Sequence, residues 1–154
     1  MFVQNRNCHF HIRARALLFS NGQILLAHRK GAANTYLPGG HVDPGESAKT
    51  TIVRELDEEL GIKGKVTSFL GVVEHGYEVD RVFHQELNLI FLVEETQLNW
   101  EIPLQSKEPH LEFFWCPINQ IDCQNLQPTP FVDLIRKYFD GDKEIWWDCT
   151  LDNQ

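Results

Sequence analysis

The segment from His11 to Phe19 is rich in β-compatible residues, stops at Asn21-Gly22, and resumes from Gln23 to His28 with Ile24, Leu25 and Leu26 in succession. Asn-Gly between two apolar runs predicts a hairpin, because both residues tolerate positive φ. Thr35 to Leu37 then leads into Pro38-Gly39-Gly40, where the backbone must turn tightly or approach something closely. A helical pattern follows Asp43-Pro44-Gly45-Glu46, running from about Ser47 to Leu60, and Gly61 supplies a left-handed stop. Strand character returns at Val66 to His75 and Val82 to Glu94, joined by a polar connection around Glu78 to Arg81, and again at Leu111 to Cys116 before Pro117. Phe131, Leu134, Ile135, Tyr138 and Phe139 stand at helical spacing within Pro130 to Phe139. The order strands, helix, strands, helix predicts an α/β or α+β layered fold with a mixed sheet between helices.

Composition adds a frame. With 154 residues, 42% hydrophobic and 23% charged, residues 1–154 fit one globular domain. A net charge of -8 argues against nonspecific nucleic-acid binding, which needs surplus Lys and Arg to replace counterions. An anionic substrate would then need another attraction, such as a bound divalent cation. The first fifteen residues carry charges and histidines rather than a secretory apolar run, and no stretch approaches the ~20 apolar residues of a membrane span, so a cytoplasmic protein without membrane contact is expected. Cys8, Cys116, Cys123 and Cys149 lack CxxC spacing and are read as free thiols.

Chemistry concentrates on the first helix. With steps of roughly 100° and Glu55 at zero, Glu58 falls near 300° and Glu59 near 40°, so three carboxylates share a face. Ala48, Ile52, Leu56, Leu60 and Val53 occupy the adjoining apolar arc, which puts the acidic face at the rim of a cleft. By itself the helix fits a solvated acidic surface equally well, since like charges at this spacing cost only a few tenths of a kcal/mol when exposed. The surrounding residues change that balance. Gly40 to Ile62, GHVDPGESAKTTIVRELDEELGI, matches Gx5Ex7REUxEExGU, with U an aliphatic residue, at Gly40, Glu46, Arg54, Glu55, Leu56, Glu58, Glu59, Gly61 and Ile62. Background frequencies put a chance match on the order of 10⁻⁷ or less.

Through this run the sequence resembles the Nudix hydrolase family. The resemblance implies an α/β/α sandwich with the box forming a loop, helix and loop. It also implies hydrolysis of a nucleoside diphosphate linked to another moiety, with Mg²⁺ or Mn²⁺ required. Clustered carboxylates suit such hard cations, which neutralise phosphate charge and acidify water. Glu55, Glu58 and Glu59 are the expected metal ligands, with a backbone carbonyl from Gly40; Glu55 or Glu58 is the base by resemblance, and the sequence does not separate base from ligand. Glu46 and Arg54 are expected to brace the carboxylates by forked hydrogen bonds.

Beyond the box, Arg29 is a candidate phosphate grip, with Lys30 beside it, although a solvated strand end fits as well. Tyr36, His41 and Glu86 are taken as substrate-binding, although for Tyr36 packing is favoured over base stacking. Glu86, Glu108 and Glu112 are each able to supply a carboxylate from outside the helix, with Glu86 best placed by resemblance. In Cys8-His9-Phe10-His11, alternation puts Cys8 with Phe10 and His9 with His11, and a fourth zinc ligand is missing. Trp146-Trp147 suits core packing, a lid or a dimer contact, and a homodimer is allowed. Tyr77 stands close to where diadenosine polyphosphate hydrolases often carry a tyrosine, which slightly favours dinucleoside polyphosphates among nucleotide substrates. The rival expectation is a non-catalytic Nudix-fold nucleotide sensor. A helix that merely binds Ca²⁺ would need looped oxygen spacing, which a continuous helix does not give.

Overall fold

The computed structural model describes residues 7–95 and 97–153. Among the described residues, eight strands and two α-helices follow in the order β1 (Cys8–Ser20), β2 (Gln23–Arg29), β3 (Thr35–Tyr36), β4 (Gly39–His41), α1 (Ala48–Leu60), β5 (Lys65–Val79), β6 (Val82–Glu94), β7 (Leu111–Pro117), α2 (Pro130–Phe139) and β8 (Trp146–Cys149). The strands form one mixed sheet in the order β3-β2-β1-β6-β5-β8, with β4 also on β1 and β7 also on β2.

The predicted hairpin turn is present, with Asn21 at φ 47 and Gly22 at φ 75. Its arms pair only beside the turn, Phe19 with Ile24 and Ser20 with Gln23. Beyond that they part. β1 runs parallel to β6 from Cys8/Phe83 to Leu18/Val93, β2 runs antiparallel to β7 along its whole length, and β4 and β3 take the edges that the hairpin arms vacate. That divergence opens the cleft described below.

Strand alternation feeds two cores. Leu17, Ile24 and Leu26 point to the face covered by Phe131 and Ile135 of α2, while Ala16, Leu18, Leu25 and Ala27 point to the face covered by Ile52, Leu56 and Leu60 of α1. The sheet therefore lies between helices, as the pattern predicted. Helix α1 is bounded as expected: the Ser47 hydroxyl accepts from Thr50 N–H, and Gly61 ends the helix at φ 68 with its N–H bonded to Asp57 O.

Some particulars differ from the sequence expectation. Val53 is 42% exposed and outside the core, whereas Thr51 is buried, because α1 meets the sheet along 52-56-60 and Val53 falls past the edge of that stripe. The β5–β6 turn uses Asp80 (φ 50) and Arg81 (φ 66), both left-handed without glycine. Strand β8, unannounced by any alternation, lies parallel to β5. Trp146 is buried there between Phe131 and Tyr138, while Trp147 is 78% exposed and donates from Nε1 to Glu74. Among the described residues, no helix is long and apolar enough to cross a membrane.

Candidate active site

The box helix α1 and strand β4 meet edge to edge. A Cβ on Gly40 would sit 2.5 Å from Glu55 Oε1, so the missing side chain is what lets the Glu55 carboxylate lie against the strand. Gly39, at φ 142, is needed for a second close approach, against the backbone of Ala14.

Arg54 is the hub of the box. Its Nε donates to Glu46 Oε2 at 3.0 Å and its NH2 to Glu46 Oε1 at 3.1 Å, a forked pair. NH1 donates to Glu55 Oε1 at 3.0 Å and Glu58 Oε2 at 3.3 Å, and NH2 reaches the His41 carbonyl at 3.4 Å and Asp43 at 3.5 Å. The hydrogen bonds from Arg54 hold the Glu46 carboxyl below its ordinary range, and those to Glu46 and Glu55 hold the guanidinium still more firmly protonated.

The three helix glutamates are not equivalent. Glu59 is the buried one: desolvation, and then the charge of Glu55 and a shared hydrogen bond with it, push its carboxyl up to about 8. Glu58 instead turns toward Arg54, with more than half its side chain exposed. Among the described residues, no three His, Cys, Asp or Glu side chains surround one cation position, so the expected convergence of Glu55, Glu58 and Glu59 is not formed. The physical reason is Arg54, which occupies Glu55 and Glu58 from one nitrogen. The donor set nonetheless fits a hard divalent ion: Glu55 and Glu59 crowd each other enough to retain a proton, and a cation between them would relieve that repulsion.

Glu59 also lines a cleft of ≈ 500 Å³ between the diverged strands. Its walls include Arg13, Arg15, Arg29, Tyr36, His75, Tyr77, Glu86 and His110. On its floor Glu86 accepts from Arg13 Nε at 2.6 Å, Tyr77 Oη at 3.0 Å and Asn88 Nδ2 at 3.3 Å. Burial alone would raise the Glu86 carboxyl, but Arg13, Arg15 and the Asn88 hydrogen bond together outweigh burial and leave it lowered.

Arg15 is 8% exposed and donates only to neutral acceptors, Leu37 O at 3.1 Å and Asn88 Oδ1 at 3.4 Å, with its guanidinium 5.2 Å from the Tyr36 ring. Among the described residues no carboxylate pairs with it within 4 Å. Burial, with Arg13 adding to it, lowers Arg15 to about 10. An uncompensated buried cation in a cleft is a place for an anion.

Of the residues expected at the site, Arg29, Tyr36, Glu59 and Glu86 come together in this cleft, and Gly40, Glu46, Arg54, Glu55 and Glu58 cluster around the box hub. His41 faces His11 rather than the cleft lining. Lys30 and Glu108 line a separate depression, and Glu112 pairs with His28. Arg13, Arg15, Asn88 and His75 were not anticipated. A signal existed: from His9 to Arg15 every second residue is a His or Arg, a polar stripe along a strand whose other residues are apolar.

Comparison with known proteins decides the family. The NUDIX domain model matches residues 9–139. The chain belongs to the NUDIX family. The CTP pyrophosphohydrolase of Escherichia coli (strain K12) is 33% identical over 111 residues, covering 66% of this chain and 71% of that protein. A solved MutT protein from Methanosarcina mazei Go1 superposes with TM-score 0.68 at 25% identity, over 88% of this chain and 96% of that one. A Bacillus subtilis (strain 168) relative is 45% identical over 58 residues, 38% of this chain, and there the chain spans only 39% of the relative's length. In this NUDIX chain the complete box therefore sits on the layered fold of its relatives, with the cleft at its edge.

Proposed function

We propose that this NUDIX chain is a metal-dependent pyrophosphohydrolase that cleaves a phosphate anhydride in a small nucleotide-type substrate. The observation that carries the reading is Arg15, a buried guanidinium with which no carboxylate among the described residues pairs within 4 Å, facing the same cleft as Glu59. A phosphate oxygen would supply the missing charge, and Arg29 and Arg13 line the route to it. Tyr36, already against Arg15, offers a flat ring to a base or ribose, and Glu86 offers acceptor oxygens on the floor. The relatives named for pyrophosphohydrolase activity support the same class.

Mg²⁺ or Mn²⁺, held by Glu55, Glu59 and the Gly40 carbonyl with Glu58 joining from the outer turn, would supply charge neutralisation and acidify the attacking water. The chain's own residues do the rest. Arg54 holds Glu55 and Glu58 in place through its NH1, and Glu46 anchors Arg54. Glu55 and Glu58 are the two carboxylates positioned to take the proton from water, and Arg15 steadies charge gathering on the departing phosphate.

Phosphate release from a panel of nucleoside triphosphates, dinucleoside polyphosphates and nucleoside diphosphate derivatives, with Mg²⁺, Mn²⁺ or EDTA, tests this. Turnover of one or more members is expected with metal and none with EDTA. Glu58→Gln and Glu59→Gln are each expected to lower kcat by orders of magnitude with unchanged circular dichroism. Tight nucleotide binding without turnover would select the alternative, a non-catalytic sensor.

A further inference from the structure

Beside the cleft, four imidazoles from three strands crowd one patch of the sheet, with the His84 ring stacked on Tyr77 of the cleft wall. His9 and His11 lie on β1, His41 on β4 and His84 on β6. The sequence placed His9 and His11 on one face but offered no further ligand; the parallel pairing of β1 with β6 sets His84 beside His9, and β4 brings His41 alongside Arg13. His11 is the centre of the group. Its Nδ1 lies 3.1 Å from His41 Nε2, and its Nε2 lies 2.8 Å from His84 Nδ1.

Two imidazole nitrogens bound to one transition-metal ion at about 2.0–2.1 Å stand roughly 2.9–3.4 Å apart, from square-planar to tetrahedral angles. The His11–His41 separation of 3.1 Å falls inside that span. One tautomer of the chain of contacts suits such an ion. A metal on His11 Nδ1 leaves the proton on Nε2, which donates to His84 Nδ1 and fixes the ring, as metal-binding histidines are commonly held by a partner behind them. The neighbouring positive charge of Arg13 is offset by Glu86 at 2.6 Å.

We propose that His11 Nδ1 and His41 Nε2 form a chelating edge for one imidazole-preferring divalent ion of the Cu²⁺, Ni²⁺ or Zn²⁺ class, separate from the acidic helix. Water completes its coordination, because among the described residues no third side-chain donor surrounds the position. Mg²⁺ and Ca²⁺, which prefer oxygen, do not compete for it. The ion ties β1 to β4 one residue beyond Gly40, where the His41 carbonyl already receives Arg54.

The test is titration of untagged full-length protein with Cu²⁺ in excess Mg²⁺, followed by calorimetry and by electron paramagnetic resonance. One Cu²⁺ per chain with hyperfine splitting from two nitrogens is expected. His11→Ala and His11→Gln should remove that signature, and His84→Ala should weaken binding by about 10–100-fold while leaving two nitrogens. Glu58→Gln should leave Cu²⁺ binding unchanged, because the acidic helix takes no part. Equal affinity and an unchanged nitrogen pattern in both His11 variants, or displacement of Cu²⁺ by Mg²⁺, would overturn the assignment. None of these readouts depends on turnover, so the result stands apart from the hydrolase reading.

Discussion

Glu86 shows how one buried side chain ties stability to pH. Burial would raise its carboxyl, but Arg13, with Arg15 and Asn88 behind it, overcomes that cost and leaves it lowered. A carboxylate with a lowered folded value stabilises the fold above its unfolded value, near pH 4.3, and that contribution disappears as pH falls through the folded value. The melting temperature of the wild type should therefore fall more steeply than that of Glu86→Gln below about pH 4.3, so that the two curves converge in acid. Parallel curves would mean that Arg13 does not hold the carboxylate ionised. The box residues were legible at this scale because their spacing within one helix fixes who neighbours whom: Arg54 reaches Glu58 one turn on, and Gly40 makes room for Glu55. Arg13, Arg15 and Asn88 were not, since a strand residue acquires its neighbours from strands far away in the chain. The partners of Arg13 and Arg15 on β6 lie 73 residues off in each case.

At the scale of elements, α1 is the best specified segment. Ser47 and Gly61 close its two ends, and its apolar stripe selects the face that packs. Gly61 at φ 68 holds a conformation that costs an L-residue about 1–2 kcal/mol. Gly61→Ala should thus lower the melting temperature by about 2–4 °C for each kcal/mol, with the nearest obstacle, the Lys107 side chain, able to move only by giving up its hydrogen bond to Asp57 O. An unchanged melting temperature would show that the last turn adjusts without strain. The Asn21-Gly22 turn, β6 and α2 were equally readable, each from a local signal of turn chemistry or periodicity. The connection around Glu78 to Arg81 was readable as polar, but the left-handed backbone at Arg81 was not; the long β5–β6 ladder imposes it. Strand β8 was missed for a related reason: with four residues it has too little alternation to read, and β5 creates it by offering an edge.

For the molecule as a whole, adjacent tryptophans separate core from surface. Trp146 is 4% exposed within the α2-side core, and its truncation to Ala should cost about 3–5 kcal/mol in chemical denaturation. Trp147→Ala, one residue on and facing solvent, should stay within about 0.5 kcal/mol. Equal losses would mean that β8 docks through both rings. The parallel ladder of β1 on β6 carries a consequence for how this protein comes into being. A ribosome releases the first strand well before its partner exists, and for that interval His11, Arg13 and Arg15 lack His84, Glu86 and Asn88. Assembly must then wait for a long loop to close, the kind of topology that folds slowly. Site and fold are thereby born in one late event, and a chain stalled before Phe83 would carry the complete box sequence with no cleft to serve.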